Sequence, residues 1–411
     1  MAKVKVAAKD AKRRMNLPRA INYMFGHQSL NFYMLLGTTL FIVVYGMVMV
    51  LSSSSVESLT ATSNPYAVFL KQLGFGLAGL AGMLAFSILP VWRLKAISKT
   101  LFLGAILLQL LVLLTPLGVS IAGNRNWLDL GIIRLQPSEF IKLGLILFLA
   151  KRFWVRQDEI YDKRRYLYHG VLFIALSVGV VILGKDLGTS IIILLISVGM
   201  IYLSGVSIKH MRQLVVAVLL FIVVFAAQGA SRSGRISAWL SGGTDDSSIY
   251  TWQSQHGIWA LAAGGWFGSG LGNSELKWSW IPEVDNDYIF AIIGEETGLV
   301  GATLVIGLFV FLVLRMRILF LKTDDAFIKN VTAGVMVWIG FQALINIAVV
   351  VQWLPVLGVP LPLISAGGSS LISAMLAIGV LLSFEREILQ QELASNRGRA
   401  PNARELRGVN R

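Results

Sequence analysis

Ten apolar runs, each about the length of a helix that crosses a bilayer, follow one another along this chain and leave almost nothing over for a soluble domain. A hydrocarbon core of about 30 Å takes about 20 apolar helical residues to cross. The runs fall at roughly 30–52, 68–90, 97–118, 136–153, 167–184, 187–204, 208–229, 287–314, 327–352 and 365–384. Hydrophobic residues make up 55% of the 411 and charged residues 14%, which is too little charge to clothe the surface of two or three soluble domains. The spacing predicts an all-α integral membrane protein, a bundle of about ten transmembrane helices.

Lysine and arginine orient that bundle. With the N-terminus in the cytoplasm, 28 of the 36 fall on the cytoplasmic side of alternate connections, as the positive-inside rule requires. An odd number of spans would break the alternation, so both termini are expected in the cytoplasm. Residues 1–28 then form a basic arm, 29–385 the membrane domain, and 386–411 a basic tail read as disordered. The first run reads as a retained signal anchor, because a polar, basic stretch precedes a full-length span. The net charge of +14 sits at the ends of spans, which suits anionic lipid headgroups and not nucleic acid. With no cysteine there is no disulfide framework or thiol nucleophile. His27, His169, His210 and His256 lie far apart and show no metal-ligand spacing.

Eight cations oppose the topology bias: Lys71, Arg125, Arg134, Lys142, Lys185, Arg232, Arg235 and Lys277. Lys71 and Lys277 read as solvated loop charges, and the other six fall in polar clusters beside spans. Glu139 and Lys142 stand one turn apart in the fourth span, where an i, i+3 ion pair holding the bundle is the expectation. Between the fifth and sixth spans, the stretch 184–189 adds Lys185 and Asp186 at the outer surface. The seventh and eighth spans are joined by a large extracytoplasmic loop, 230–286, whose six tryptophans argue against disorder. Its stretch Trp252–Phe267 is expected as a helix lying in the membrane interface. The run GGWFGSGLG at 264–272 follows no strand, so it reads as a tight turn and not a phosphate loop.

The loop ends on Ile281-Pro282-Glu283-Val284-Asp285-Asn286-Asp287-Tyr288. If that stretch is helical, Glu283 and Asp287 share a face at i, i+4. Paired carboxylates at a membrane mouth can divide acid and base roles, and a helix cap is the plainer alternative. Glu295 and Glu296 stand about two turns inside the eighth span and are expected to contact other helices. The segment 353–370, rich in proline and glycine, reads either as a tight outer loop or as a broken segment lining a cavity. Outward cations suit a diphosphate and outward carboxylates suit activation of a hydroxyl, so residues alone point to a site for a lipid-linked phosphate.

Four stretches in order, GNRNWLDLGIIRLQPSEFIK at 123–142, GKDLGTS at 184–190, IPEVDNDYIFAIIGEETGLVG at 281–301 and LPVLGVPLPLISAGGSS at 354–370, resemble the motifs of the SEDS family (shape, elongation, division and sporulation). The resemblance spans about residues 30–385. The serine-rich VLSSSSVES at 50–58 and Ala366 in ISAGGSS lean towards the division branch of actinobacterial type, with the elongation branch as the close alternative. The resemblance implies a ten-helix peptidoglycan glycosyltransferase of the cytoplasmic membrane, multi-pass and placed at the division septum. It would polymerise lipid II at the outer face, with a class B penicillin-binding transpeptidase and other division proteins as partners.

The family's essential aspartate matches Asp287, which is therefore the expected catalytic residue. Where the family often has His-Thr before it, this chain has Asp285-Asn286. Arg125, Trp127, Lys185, Asp186, Arg232, Arg235, Glu283 and Ser365 are the substrate-binding candidates, with Pro362 and Gly367 near Ser365. No cofactor is implied with certainty; a divalent cation, Mg or Mn, could help neutralise the diphosphate, although no ligand motif stands out. Two other functions stay open at this point. A lipid II flippase would use intramembrane charges and a broken segment, and a non-catalytic scaffold would recruit partners through the basic arm and tail.

Overall fold

Each apolar run becomes a helix because nothing else satisfies backbone N–H and C=O groups where water is absent. The computed structural model describes residues 26, 28–121, 123–131, 133–155, 163–204, 208–226, 230–240, 249–275 and 284–399. In chain order these form α1 (Leu30–Thr62), α2 (Ala67–Ser87), α3 (Val91–Leu114), β1 (Gly118–Ile121), β2 (Asn124–Asp129), β3 (Arg134–Leu135) and α4 (Pro137–Val155). Then follow α5 (Lys163–Leu183), α6 (Leu187–Leu203), α7 (Ile208–Ala226), α8 (Ala230–Leu240) and α9 (Ile249–Ala263). The last three are α10 (Ile289–Lys322), α11 (Ala326–Val350) and α12 (Gly368–Arg399). Six of the described helices, α1, α2, α3, α10, α11 and α12, are long and apolar enough to cross a membrane, and α6 and the 170–183 part of α5 are shorter apolar helices.

The helix ends follow local chemistry. Ser29 caps α1 by accepting from the Phe32 N–H, and Ser63 stops it in the left-handed region. Asp325 caps α11 through the N–H groups of Phe327 and Ile328. Packing sorts the helices into an inside and an outside. On α4, Leu145, Ile146, Leu147, Leu149 and Ala150 are fully buried, whereas Leu77, Leu107, Leu172, Leu220 and Val310 are largely exposed on outer helices. An apolar exterior of this extent is the signature of a lipid-facing surface, and the chain is a helical membrane protein.

Three departures from the sequence reading have physical causes. The connection 118–135 is a three-stranded antiparallel sheet, β1-β2-β3, with Val119 opposite Trp127 and Asp129 opposite Arg134; its short strands lack the length that alternation needs to be seen. The last helix does not end near residue 385 but runs to Arg399. Arg386, counted above in the basic tail, is buried and donates to the Ser87 carbonyl, and Glu385 accepts from Ser29 and Asn31 at 2.6 Å each. These partners hold the helix on; residues 400–411 lie outside the described residues.

The third departure is a break in α10. Gly298 has φ 68° inside the helix, and the turns of 264–272 fill the gap. Leu299 and Val300 donate to the carbonyls of Gly265 and Trp266, and Ser269 and Gly270 donate to those of Glu295 and Glu296. A Cβ on Gly298 would collide with the Gly268 nitrogen. The glycine run is thus a turn, as its lack of a preceding strand suggests, and its task is close backbone contact. The expected interfacial helix ends at Ala263 where that turn begins.

Candidate active site

The elements converge on residues 351–367, a non-helical stretch between α11 and α12. Irregular backbone of this kind survives inside a bundle only with its polar groups paired. Gln342 Nε2 donates to the Pro360 carbonyl at 2.9 Å, and Asn346 Nδ2 donates to the Val359 carbonyl at 2.8 Å. Gln72 Nε2 reaches the Ser365 carbonyl at 3.0 Å. Gln352 and Leu363 hold positive φ, 60° and 66°, and such strained positions cluster at functional sites.

Asp287 lies against this stretch. Its own carbonyl accepts from Asn346 Nδ2 at 2.8 Å. The carbonyls before it are tied down too: Ser365 Oγ donates to Asn286 at 2.6 Å, and the Ala366 N–H donates to Asp285 at 2.9 Å. The side chain points to Gly358, where a Cβ would lie 3.6 Å from Asp287 Oδ2 and 3.8 Å from Arg235 Nη1. Arg235, on α8, also approaches the Val356 carbonyl at 3.4 Å. A carboxylate and a guanidinium, both half-buried, therefore meet at one glycine of the broken segment.

Lys185 and Asp186 reach the same segment through their helix. A Cβ on Gly188 would run into the Leu357 carbonyl, so the start of α6 packs directly on it. Lys185 is exposed and left-handed, with φ 67°. Asp186 is turned inward: it caps α6 through the Thr189 N–H at 2.9 Å and accepts from Thr189 Oγ1 and Gln136 Nε2. Burial pushes its carboxyl above the ordinary carboxylate range, against the pull of the Thr189 donors. That is the setting of a structural cap.

Arg125 is also spent on structure, donating to the Val112 and Thr115 carbonyls at 3.1 and 2.8 Å and closing the end of α3. Trp127 is half-buried in β2. Ser365 is buried and holds the Leu361 N–H at 2.8 Å as well as Asn286, so it braces the segment. Arg232 falls on α8, but its side chain lies outside the described residues, as does Glu283 altogether; the i, i+4 pairing of Glu283 with Asp287 goes with it. Among the described residues no three His, Asp or Glu side chains come together to hold a metal.

Glu139 and Lys142 form an ion pair of 2.8 Å with side chains 2% and 1% exposed. Lys142 also donates to Gln342 Oε1 at 2.9 Å. Removing either charge strands the other in the interior, at about 3–5 kcal/mol. Glu295 and Glu296 tie elements together as expected: Glu296 accepts from Ser52 of α1 at 2.6 Å, and Glu295 from Ser274 Oγ and the Glu275 N–H at 2.5 and 2.8 Å. The sequence reading missed Gln72, Gln342 and Asn346. Polar side chains in the middle of apolar spans were the available signal.

Known proteins are similar to this chain in sequence and in fold. A family model described as cell cycle protein, FtsW/RodA/SpoVE, matches residues 32–389. A probable peptidoglycan glycosyltransferase FtsW of Coxiella burnetii is 33% identical over 360 residues, covering 85% of this chain and 94% of that protein. One of the same name from Mycobacterium tuberculosis is 32% identical over 374 residues, covering 91% of this chain and 71% of that protein. Among solved structures, a chain from work on the coordination of polymerization and crosslinking by a peptidoglycan synthase complex aligns at 26% identity with a TM-score of 0.70, covering 87% of this chain and 98% of that one. Both relatives carry the division-branch name towards which the serine-rich run and Ala366 lean. The chain belongs to the FtsW/RodA/SpoVE family of cell cycle proteins, the family its four motifs resemble.

Proposed function

We propose that this chain is a peptidoglycan glycosyltransferase that polymerises lipid II at the outer face of the cytoplasmic membrane, for septal wall synthesis. The observation that carries the reading is the meeting of Asp287 and Arg235 at Gly358. Asp287 takes the proton of the acceptor sugar's 4-hydroxyl as that oxygen attacks the donor's anomeric carbon. The bond from that carbon to the diphosphate breaks, and the diphosphate leaves with the electron pair. One displacement inverts the anomeric centre and needs no enzyme nucleophile. Arg235 stabilises the departing diphosphate, with Lys185 and Arg232 as the further cations on elements packed around the segment. Arg125 and Asp186 act at one remove, by fixing the sheet and α6.

The wider frame belongs to the same proposal: ten spans, both termini cytoplasmic, and the β sheet, α8 and α9 outside. A class B penicillin-binding transpeptidase is the partner this reading names, supported by the aligned synthase complex. The test is polymerisation of lipid II by purified protein reconstituted with such a partner. Asp287→Asn should lower the rate by about a hundredfold or more, the usual range for a lost general base. Polymer formed by that variant at the wild-type rate sinks the assignment. Lipid II translocation without polymer by the wild type would point to a flippase, and assembly of the complex with neither activity to a scaffold.

A further inference from the structure

Two amides of α11 hold the backbone at which Asp287 and Arg235 meet, and the displacement itself asks nothing of either. Gln342 and Asn346 stand four residues apart, on one face of the helix, and are 0% and 1% exposed. Gln342 Oε1 accepts from Lys142 Nζ at 2.9 Å and Trp338 Nε1 at 2.8 Å. Both of those groups can only donate, which fixes the amide so that Nε2 faces the Pro360 carbonyl. Asn346 Nδ2 gives one hydrogen to the Val359 carbonyl and the other to the Asp287 carbonyl, each at 2.8 Å. Two acceptors on one nitrogen fix that amide as well.

We infer that Gln342 and Asn346 are positioning residues for the Asp287–Arg235 pair: together they pin consecutive carbonyls of the broken segment beside Gly358, and Asn346 pins Asp287 to the same place. A packing role alone does not account for Asn346. Its Oδ1 is buried with no hydrogen-bond partner among the described residues, a cost that a leucine of similar size would avoid. What the amide supplies there is its two donors. The Glu139–Lys142 ion pair gains a task from the same arrangement, because Lys142 sets the orientation of Gln342. The segment is held from the other side by Arg235 at the Val356 carbonyl and by α6 at Leu357, so letting go at 359 and 360 would free it to move away from Asp287.

This inference rests on the function proposed above, and its test separates the two. The full chain, reconstituted in liposomes with lipid II and a class B penicillin-binding transpeptidase, is compared as wild type, Asn346→Leu and Gln342→Glu. Gln342→Glu keeps the acceptor for Lys142 and Trp338 and removes the donor to Pro360. Two quantities are measured: polymerisation kinetics, and hydrogen exchange of peptides covering 355–366 and 285–289. Neither residue touches substrate in this reading, so kcat should fall by about a hundredfold in Asn346→Leu, as for a misplaced reacting group, with KM held within about twofold. Exchange in both peptides should rise by about tenfold as the segment loosens, and Gln342→Glu should fall between.

A kcat within about threefold of wild type, or a loss confined to KM, overturns the positioning role. So does unchanged exchange in both peptides. If Asn346→Leu fails to fold, the isosteric Asn346→Asp takes its place, with the same two measurements and the same thresholds. If the wild type forms no polymer, the proposed reaction fails, and exchange alone decides whether the amides hold the segment to Asp287.

Discussion

At the scale of single residues, Asp287 was legible and its surroundings were not. Spacing alone favours a helix cap at this carboxylate, and its expected catalytic role comes from the resemblance of its twenty-one-residue motif to the family. That Arg235 would be the cation beside it, and not Arg125, depends on where two distant elements come to rest. Arg235 is therefore the sharper test. Arg235→Ala should cost about as much as losing one oxyanion donor, a hundredfold or more in kcat. Arg235→Lys should recover part of that loss, because it restores a charge but not the planar fork. Full activity in Arg235→Ala, measured as lipid II polymerisation, would move the diphosphate to another cation. The sheet offers a test that involves pH. The Gly131 N–H and then the Arg134 guanidinium hold the Asp129 carboxyl below its ordinary 3.8. A lowered carboxylate stabilises the fold above the unfolded value and loses that contribution as pH falls through the lowered one. Hydrogen exchange at 129–134, corrected for intrinsic rate, should rise as pH falls below about 3.8, and Arg134→Gln, which brings the folded value closer to the unfolded one, should shrink that rise.

At the scale of elements, the two irregular stretches explain both what the sequence revealed and what it hid. Apolar run length exposed the helices, since each must satisfy its own backbone. It hid the break in α10, because Gly298 lies inside one continuous long run, after Glu295, Glu296 and Thr297, and the hydrogen bonds that permit the break come from residues 265–270. Such a partner some thirty residues away leaves no local trace. The same holds for 351–367: prolines and glycines announced irregular backbone, but not that Gln72, Gln342 and Asn346 would satisfy it. The break is also where glycine is irreplaceable. Gly298→Ala would force a side chain into a backbone region, φ 68° and ψ −167°, that only glycine adopts readily, at about 1–3 kcal/mol, and drive a Cβ against the Gly268 backbone. Gly307 is the control: it lies in the same helix with nothing within 4 Å of its Cβ position. In detergent, Gly298→Ala should melt several degrees lower than wild type, whereas Gly307→Ala should melt at the wild-type temperature or slightly above. Equal melting of the two variants would mean that the turn at 264–272 does not brace α10.

At the scale of the whole molecule, run length and helix length disagree in an instructive way. Ten runs can be read from the sequence, yet α4 is not apolar enough to be counted a span on its own, because it carries Glu139, Lys142, Lys151 and Arg152. It does not need to be: its lipid exposure is small, and neighbouring helices supply the apolar surroundings. At 17 residues α6 is short for a span, and it too is mostly buried. In the ten-span frame proposed above, composition alone undercounts the inner helices of the bundle, and the alternation of charge is the argument for counting them. The absence of cysteine makes that decision testable with single introduced thiols. Ala61 beyond the α1 core, Ser237 on α8 and Asp324 between α10 and α11 are all exposed. Asp324 pairs with Lys329 at 3.5 Å in the open, an interaction worth little, so its replacement should be tolerated. A membrane-impermeant maleimide applied to intact spheroplasts should label Ala61→Cys and Ser237→Cys, and should reach Asp324→Cys only after permeabilisation. The opposite pattern would turn the bundle over and put Asp287 on the cytoplasmic side, where a polymerase acting at the outer face could not use it. Labelling of Ala61→Cys and Asp324→Cys from the same side would show an even number of crossings between them, contrary to the alternation of charge from which the orientation follows.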